Sequence, residues 1–268
     1  MKKINKSVLS AVVSGAIAAT LASPAMATTD GKVKLGILAD MGGTYADICG
    51  PGCVTAAKMA VEDFGGKVLG NDIEVISADS QLKPDIASSI ARKWVEDEGV
   101  DTIGGLVSSA VSGAVSKVNA DNKKITLISG SASNAFTTKS CNPYNVHWTY
   151  NVVALANGTV KPMVQSGKKK WFFITADYSF GHALEGVASK VIKTNGGEVV
   201  GNVRAPLGTT DFSSYILQAQ ASGADVVALA NAGNDTVNAL KAATEFGLTE
   251  QMDVAGLLVF TQNAQAMD

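Results

Sequence analysis

The sequence predicts an α/β protein of two Rossmann-like lobes, each a parallel sheet flanked by helices. From Val33 onward, short β-branched or apolar runs alternate strictly with amphipathic segments of helical period, the pattern of parallel strands covered on both faces. Several runs are apolar at nearly every position, as strands buried on both sides must be. The rhythm breaks once, over Ser131 to Thr149, a stretch rich in Ser, Asn, Thr and Pro that reads as a crossing between two similar halves.

Each half carries four strand candidates. In the first they are Val33 to Ala39, Ile73 to Ala78, Thr102 to Leu106 and Ile125 to Ser129, with helices expected at Ala46 to Phe64, Pro84 to Glu98 and Ser109 to Ala120. The second half opens on a helix at Val152 to Ser166. Strands at Trp171 to Thr175, Glu198 to Val203, Val226 to Ala230 and Val254 to Leu258 then alternate with helices at Gly181 to Thr194, Phe212 to Ser222 and Asp235 to Phe246. Ligands of open α/β sheets collect beyond the carboxyl ends of the strands, so two such lobes facing one another create a cleft.

Lys2, Lys3 and Lys6, the apolar run from Val8 to Leu21, and Ala25, Met26 and Ala27 have the order of an export signal, with cleavage expected after Ala27 and a periplasmic destination. The run is shorter than the roughly 20 residues a spanning helix needs. The lobes are expected over residues 28–148 and 149–268, the second cut short, because the apolar stretch Val254 to Phe260 runs into Thr261 to Asp268 without a closing helix.

With 46% hydrophobic and 17% charged residues the chain can bury a core. A net charge of −2 offers no basic field for nucleic acid. The lysine triplet Lys168, Lys169 and Lys170 reads as a solvated loop guarding a strand edge. Cys49, Cys53 and Cys141 allow one disulfide and leave one thiol over, with the pairing open. No metal is expected, since His147 and His182 lack ligand spacing, and no cofactor, since Met41, Gly42, Gly43 and Thr44 complete neither a Walker loop nor a dinucleotide fingerprint. Without a nucleophile elbow, and with Asp177 and His182 reading as a structural pair, no enzyme is expected.

Ser108 and Ser109 stand where a strand gives way to a helix, so hydroxyls and free backbone N–H groups point outward together and can hold a carboxylate without lysine or arginine. Ser131 and Ser133 follow the next strand in the same way. Turn and capping chemistry is the competing explanation for each serine, and packing is the competing explanation for the aromatic residues.

The blocks LGILADMGGTY (35–45), AAKMAVEDF (56–64), GGLVSS (104–109), ISGSASN (128–134), ADYSFG (176–181) and TDF (210–212) resemble the type I periplasmic binding proteins of the leucine/isoleucine/valine-binding family, substrate-binding components of ABC transporters. The resemblance implies that Ser108 holds a ligand carboxylate, that Ser131 and Ser133 contribute nearby, and that Tyr45 closes over the ligand. It also implies an inner-membrane ABC permease as partner, and family members continue beyond the last residue here. The family's acidic partners for an amino group are replaced by Val152 and Val153 in one region and by Leu257, Leu258 and Val259 in the other, leaving Asp177 as the acidic candidate. An uncompensated buried ammonium is costly. The wording ADYSFGHAL, VHWTYNVVALANG and DFSSYILQAQASGADVVALANAG is similar to the aromatic-acid-binding subgroup. The expected ligand-binding set is therefore Tyr45, Val107, Ser108, Ser131, Ser133, Tyr150, Asp177, Tyr178 and Asn231, with Phe180 and Asn234 beside it. A monomer is expected to capture a benzoate-like carboxylate by hinged closure. An amino-acid or amide binder of the same fold and a sensory module are the rivals.

Overall fold

The computed structural model describes residues 31–267, so the expected signal sequence lies outside the described residues. The first sheet takes β1 (Lys32–Ala39), β2 (Lys67–Val68), β3 (Asn71–Asp79), β4 (Thr102–Gly104), β5 (Ile125–Ile128) and β6 (Asn145–His147) in the order β2-β3-β1-β4-β5-β6. All its pairings are parallel except the short edge strand β2, which runs antiparallel to β3. The second sheet takes β7 (Lys170–Ala176), β8 (Glu198–Ala205), β9 (Val226–Ala230) and β10 (Asp253–Gly256) in the order β10-β9-β7-β8, parallel throughout. Every residue of β9 is buried, and every residue of β7 after Lys170, as the unbroken apolar runs required.

Helices connect the strands: α1 (Ala46–Cys49), α2 (Pro51–Asp63), α3 (Pro84–Arg92) and α4 (Ser109–Asp121) on the first sheet, and α5 (Val152–Gln165), α6 (Ser179–Thr194), α7 (Ser213–Gln220), α8 (Asn234–Glu245) and α9 (Thr261–Gln265) beyond it. Three expectations about these elements need correction. The apolar stretch Val254 to Phe260 is followed by a short helix, α9, where none was expected. The single helix from Ala46 to Phe64 is two, broken at Gly50 just before Pro51; proline lacks the N–H to continue a helix but suits the first turn of the next. The stretch from Ser131 to Thr149 is not loop throughout: a 3-10 turn (Asn134–Thr137) and β6 lie in it, and β6 extends the first sheet. The passage to the second sheet is thereby reduced to residues 148–151.

The lysine triplet guards no sheet edge, because it opens β7, an inner strand paired with both β8 and β9. The Lys169 and Lys170 N–H groups both donate to Asp225 at 2.8 Å, and the Lys168 ammonium pairs with Asp253 at 2.7 Å.

Trp171, Phe173, Leu184 and Ile192 pack against Val152, Val160 and Val226, and this apolar cluster continues through Tyr45, Val107 and Ala132 into the first lobe. The opposite face of the first sheet is sealed by Leu38, Trp94, Ile103 and Val115. Cover is thin on the α2 side: α2 buries none of its residues, β3 buries none, and Phe64 and Leu69 stand 66% and 84% exposed. Replacing Phe64 by Ser or Leu69 by Lys is expected to change unfolding free energy by less than about 0.5 kcal/mol. Phe173→Ala, at a position with no exposure, is expected to cost about 3–5 kcal/mol in the same urea titration.

Candidate functional site

The carboxyl ends of both sheets point at one another, and the connections leaving them form the walls of a cavity. Tyr45, Ile48, Val107, Gly130 and Ala132 line it from the first lobe, Tyr178, Phe180, Ala232 and Leu258 from the second, with Tyr150 between. The closed walls leave a cavity of about 10 Å³ between them, about the room that one water needs.

The walls touch, so the lobes are closed on one another. Tyr45 and Tyr178 hydroxyls lie 2.8 Å apart, and the Tyr150 hydroxyl donates to the Gly130 carbonyl at 2.9 Å. Beside them the Asn234 N–H, at the start of α8, donates across to the Thr44 carbonyl at 3.1 Å. Gly233 makes this approach possible: its φ is +60°, and a Cβ there would sit 2.4 Å from the Thr44 oxygen and 2.8 Å from the Tyr45 ring. A ligand can enter only when these contacts part.

Burial raises all three phenols, Tyr45 well above its ordinary range, Tyr178 likewise, and Tyr150 to about 12. They are therefore neutral donors at physiological pH. The Tyr45–Tyr178 pair spends one of its two hydrogens internally and keeps one to offer.

The serines divide. Ser108 is the N-cap residue of α4, yet its hydroxyl caps no backbone N–H. It is buried, and neither it nor the buried Ser109 hydroxyl has a hydrogen-bond partner among the described residues. Ser131, expected at the same edge, is turned into the packed lobe: its hydroxyl donates to the Leu106 carbonyl at 2.8 Å and meets the Ser112 hydroxyl. Ser133 caps the following 3-10 turn, accepting from the Ala135 N–H at 3.3 Å. Two serine pairs that look alike in sequence thus do different work, because Leu106 leaves a carbonyl for Ser131 to satisfy.

In the second lobe, Asp177 lies on the surface paired with His182 at 2.8 Å and is not among the cavity-lining residues. Asn231 is buried. Its carbonyl accepts from the Thr236 hydroxyl at 2.7 Å, while its amide nitrogen has no partner among the described residues. Asn234 opens α8 and contributes its backbone rather than its side chain to closure.

Sequence reasoning passed over Ile48, Gly130, Ala132 and Ala232, whose only signal is their place beyond strand ends. It also passed over Asp235, an acidic residue in the first turn of the helix after β9. Asp235 is 1% exposed and accepts from the Gly208 N–H at 3.1 Å. Burial pushes its carboxyl up to about 7 against the pull of that N–H, and its charge is felt by both Tyr45 and Tyr178. Asp177 is therefore not the only acidic group near the cleft.

Two sheets with facing carboxyl ends, a closed contact between their loops and a buried polar-and-apolar cavity define a two-lobed binding protein. The chain belongs to the periplasmic binding protein family, whose pattern matches residues 32–268. It is similar to the crystal structure of a periplasmic binding protein from Burkholderia mallei, 50% identical with a TM-score of 0.87 over 89% of this chain and 64% of that one. It is also similar to a branched chain amino acid ABC transporter periplasmic ligand-binding protein from Burkholderia xenovorans, 36% identical with a TM-score of 0.72 over 88% of this chain and 64% of that one. A third similar structure is a solute binding protein of an ABC transporter from Rhodopseudomonas palustris in complex with p-hydroxybenzoic acid, 27% identical with a TM-score of 0.75 over 84% of this chain and 61% of that one. A curated relative, a Leu/Ile/Val-binding protein homologue of Brucella melitensis, is 28% identical over 81% of this chain, which spans 55% of that relative's length. Among the described residues no helix is long and apolar enough to cross a membrane.

Asp235 makes stability pH-dependent. The unfolded carboxyl titrates near 3.9 and the folded one near 7, so its contribution is fully present below about pH 4 and is lost as pH rises through about 7. The loss is on the order of 4 kcal/mol. Asp235→Asn keeps an acceptor for Gly208 without the charge, and urea unfolding is expected to find it more stable than the parent at pH 8 and level with it at pH 4.

Proposed function

We propose that this chain is the ligand-binding component of an ABC transporter in the periplasm, exported by the signal at residues 1–27, and that it captures a small aromatic carboxylate between lobes at residues 28–148 and 149–268. It binds without chemistry and hands the ligand to an inner-membrane permease. The observation that carries the reading is the buried, unpartnered Ser108 hydroxyl at an uncapped helix start beside a tyrosine-lined apolar cavity. A hydroxyl withdrawn from water without an acceptor is costly, and a carboxylate is the acceptor that also suits the first-turn N–H groups of α4. The hydrogen kept by the tyrosine pair and the Asn231 amide are further donors, the latter suited to an oxygen substituent on a ring. Burying about 150 Å² of an aromatic ring against Val107, Phe180 and Leu258 contributes roughly 4 kcal/mol, comparable to the polar contacts. The relative that binds p-hydroxybenzoic acid supports this ligand class.

Asp235 favours a second reading, in which the ligand carries an amino group and the carboxyl answers it. The branched chain amino acid relative supports that reading.

Calorimetry separates the two. 4-Hydroxybenzoate is expected to bind and leucine not to, and leucine binding alone would overturn the proposal. Affinity for the acid is expected to fall as pH rises through about 7, because the anion meets an ionising Asp235, whereas an amine-bearing ligand would bind more tightly over the same range. Ser108→Ala is expected to weaken the acid about ten- to hundredfold, the value of a hydrogen bond to a charged group.

A further inference from the structure

Cys49 and Cys53 are joined as a disulfide, with their Cα atoms 5.1 Å apart, while Cys141 is free and exposed. The bridge spans the break at Gly50, where a Cβ would fall 2.6 Å from both the Ala46 and Asp40 carbonyl oxygens. On one side is α1, only four residues long, which carries Ile48 and is preceded by Tyr45, both of them walls of the cavity. On the other is α2, which buries nothing.

A four-residue helix has no stability of its own, so Tyr45 and Ile48 depend on what anchors α1. Two hydrogen bonds from outside the helix do so, Tyr45 N–H to the Asp40 carboxylate at 2.8 Å and Asp40 N–H to the Cys49 carbonyl at 3.2 Å, beside the burial of the Tyr45 side chain. The Cys49 sulfur sits 2.7 Å from the Gly105 carbonyl oxygen, two residues before cavity-lining Val107. Cys49 is buried in the same apolar cluster as Tyr45 and Val107, whereas Cys53 is half-buried. Val54 and Ala57 of α2 pack against the apolar cluster that buries Tyr45 and Cys49, and the covalent bond adds a tie from α2 to the back of the cavity wall across the break at Gly50.

We infer that the Cys49–Cys53 disulfide is a redox-sensitive clamp: intact, it positions Tyr45 and Ile48 for closure, and its reduction by a dithiol releases that wall while the rest of the protein stays folded. The dithiol attacks as a thiolate at the more accessible Cys53 sulfur, the S–S bond breaks, and Cys49 leaves as a thiolate that takes up a proton. The reductant's second thiol then displaces Cys53, so the protein gains two electrons and two protons and the dithiol becomes a disulfide. Expelling a thiolate into an apolar cluster is unfavourable, so the burial of Cys49 slows the step.

The test is hydrogen exchange on the whole chain in a Cys141→Ser background, oxidised, reduced with dithiothreitol, and reoxidised. Amides of residues 45–53 are expected to exchange at least tenfold faster on reduction, those of β9 to stay unchanged, and reoxidation to restore the slow rate, the signature of local opening. Unchanged exchange at residues 45–49 would overturn the inference, and so would an equal rise in β9, which would make the bond a staple for the whole fold. The Cys49→Ser/Cys53→Ser double variant should reproduce the reduced pattern; if it does not fold, reversible reduction of the single-variant chain decides alone. No ligand enters this measurement, so it stands or falls apart from the aromatic-acid reading.

Discussion

Desolvation of hydroxyl groups governs this cleft. When the two lobes close, every polar atom on their facing loops leaves water, and each must find a partner or bear the full cost of losing one. Most succeed within the protein: Tyr150 finds the Gly130 carbonyl, Ser131 finds Leu106, and Tyr45 and Tyr178 find each other. Ser108, Ser109 and the Asn231 amide do not. They lie next to cavity residues on opposite lobes, Val107 on one side and Ala232 on the other. On the proposed reading, an acceptor-rich ligand would satisfy donors from both lobes at once.

Closure also has a geometric condition that belongs to the backbone. The Thr44 carbonyl meets the first N–H of α8 only because Gly233 presents no side chain to it. The same approach brings Asp235, in the first turn of α8, within electrostatic reach of Tyr45 and Tyr178. A helix start that favours negative charge and a dry environment that opposes it hold this carboxyl near neutrality. The protonation state of one residue is thus coupled to the interface between the lobes.

The sequence made the alternation of strands and helices legible because fully buried parallel strands such as β7 and β9 leave unbroken apolar runs. It hid β6, whose three residues Asn145–His147 include only one apolar side chain and lie in polar surroundings. The break at Gly50 was written in the Gly50–Pro51 pair, a strong punctuation signal overridden by the helical period around it. Within the site, Tyr45, Val107, Tyr150 and Tyr178 do meet in the cavity. Ser108 and Ser131 could not be told apart in advance, because which hydroxyl is spent internally depends on a carbonyl 25 residues distant in the chain. Asp235 escaped notice since acidic residues in the first turn of a helix are common on electrostatic grounds alone, and only three-dimensional burial distinguishes this one.

The two walls of the cavity are held by different means. The second-lobe wall leaves β7, β9 and β10, whose side chains interlock in a cluster with Trp171 and Phe173 at no exposure, so Phe180, Ala232 and Leu258 have little freedom to move. The first-lobe wall rests on a glycine-rich loop and a four-residue helix, held by the buried Tyr45 side chain, a carboxylate, a few backbone hydrogen bonds and one covalent bridge. Side-chain packing alone thus fixes one wall, whereas packing, polar contacts and a covalent bridge share the work on the other.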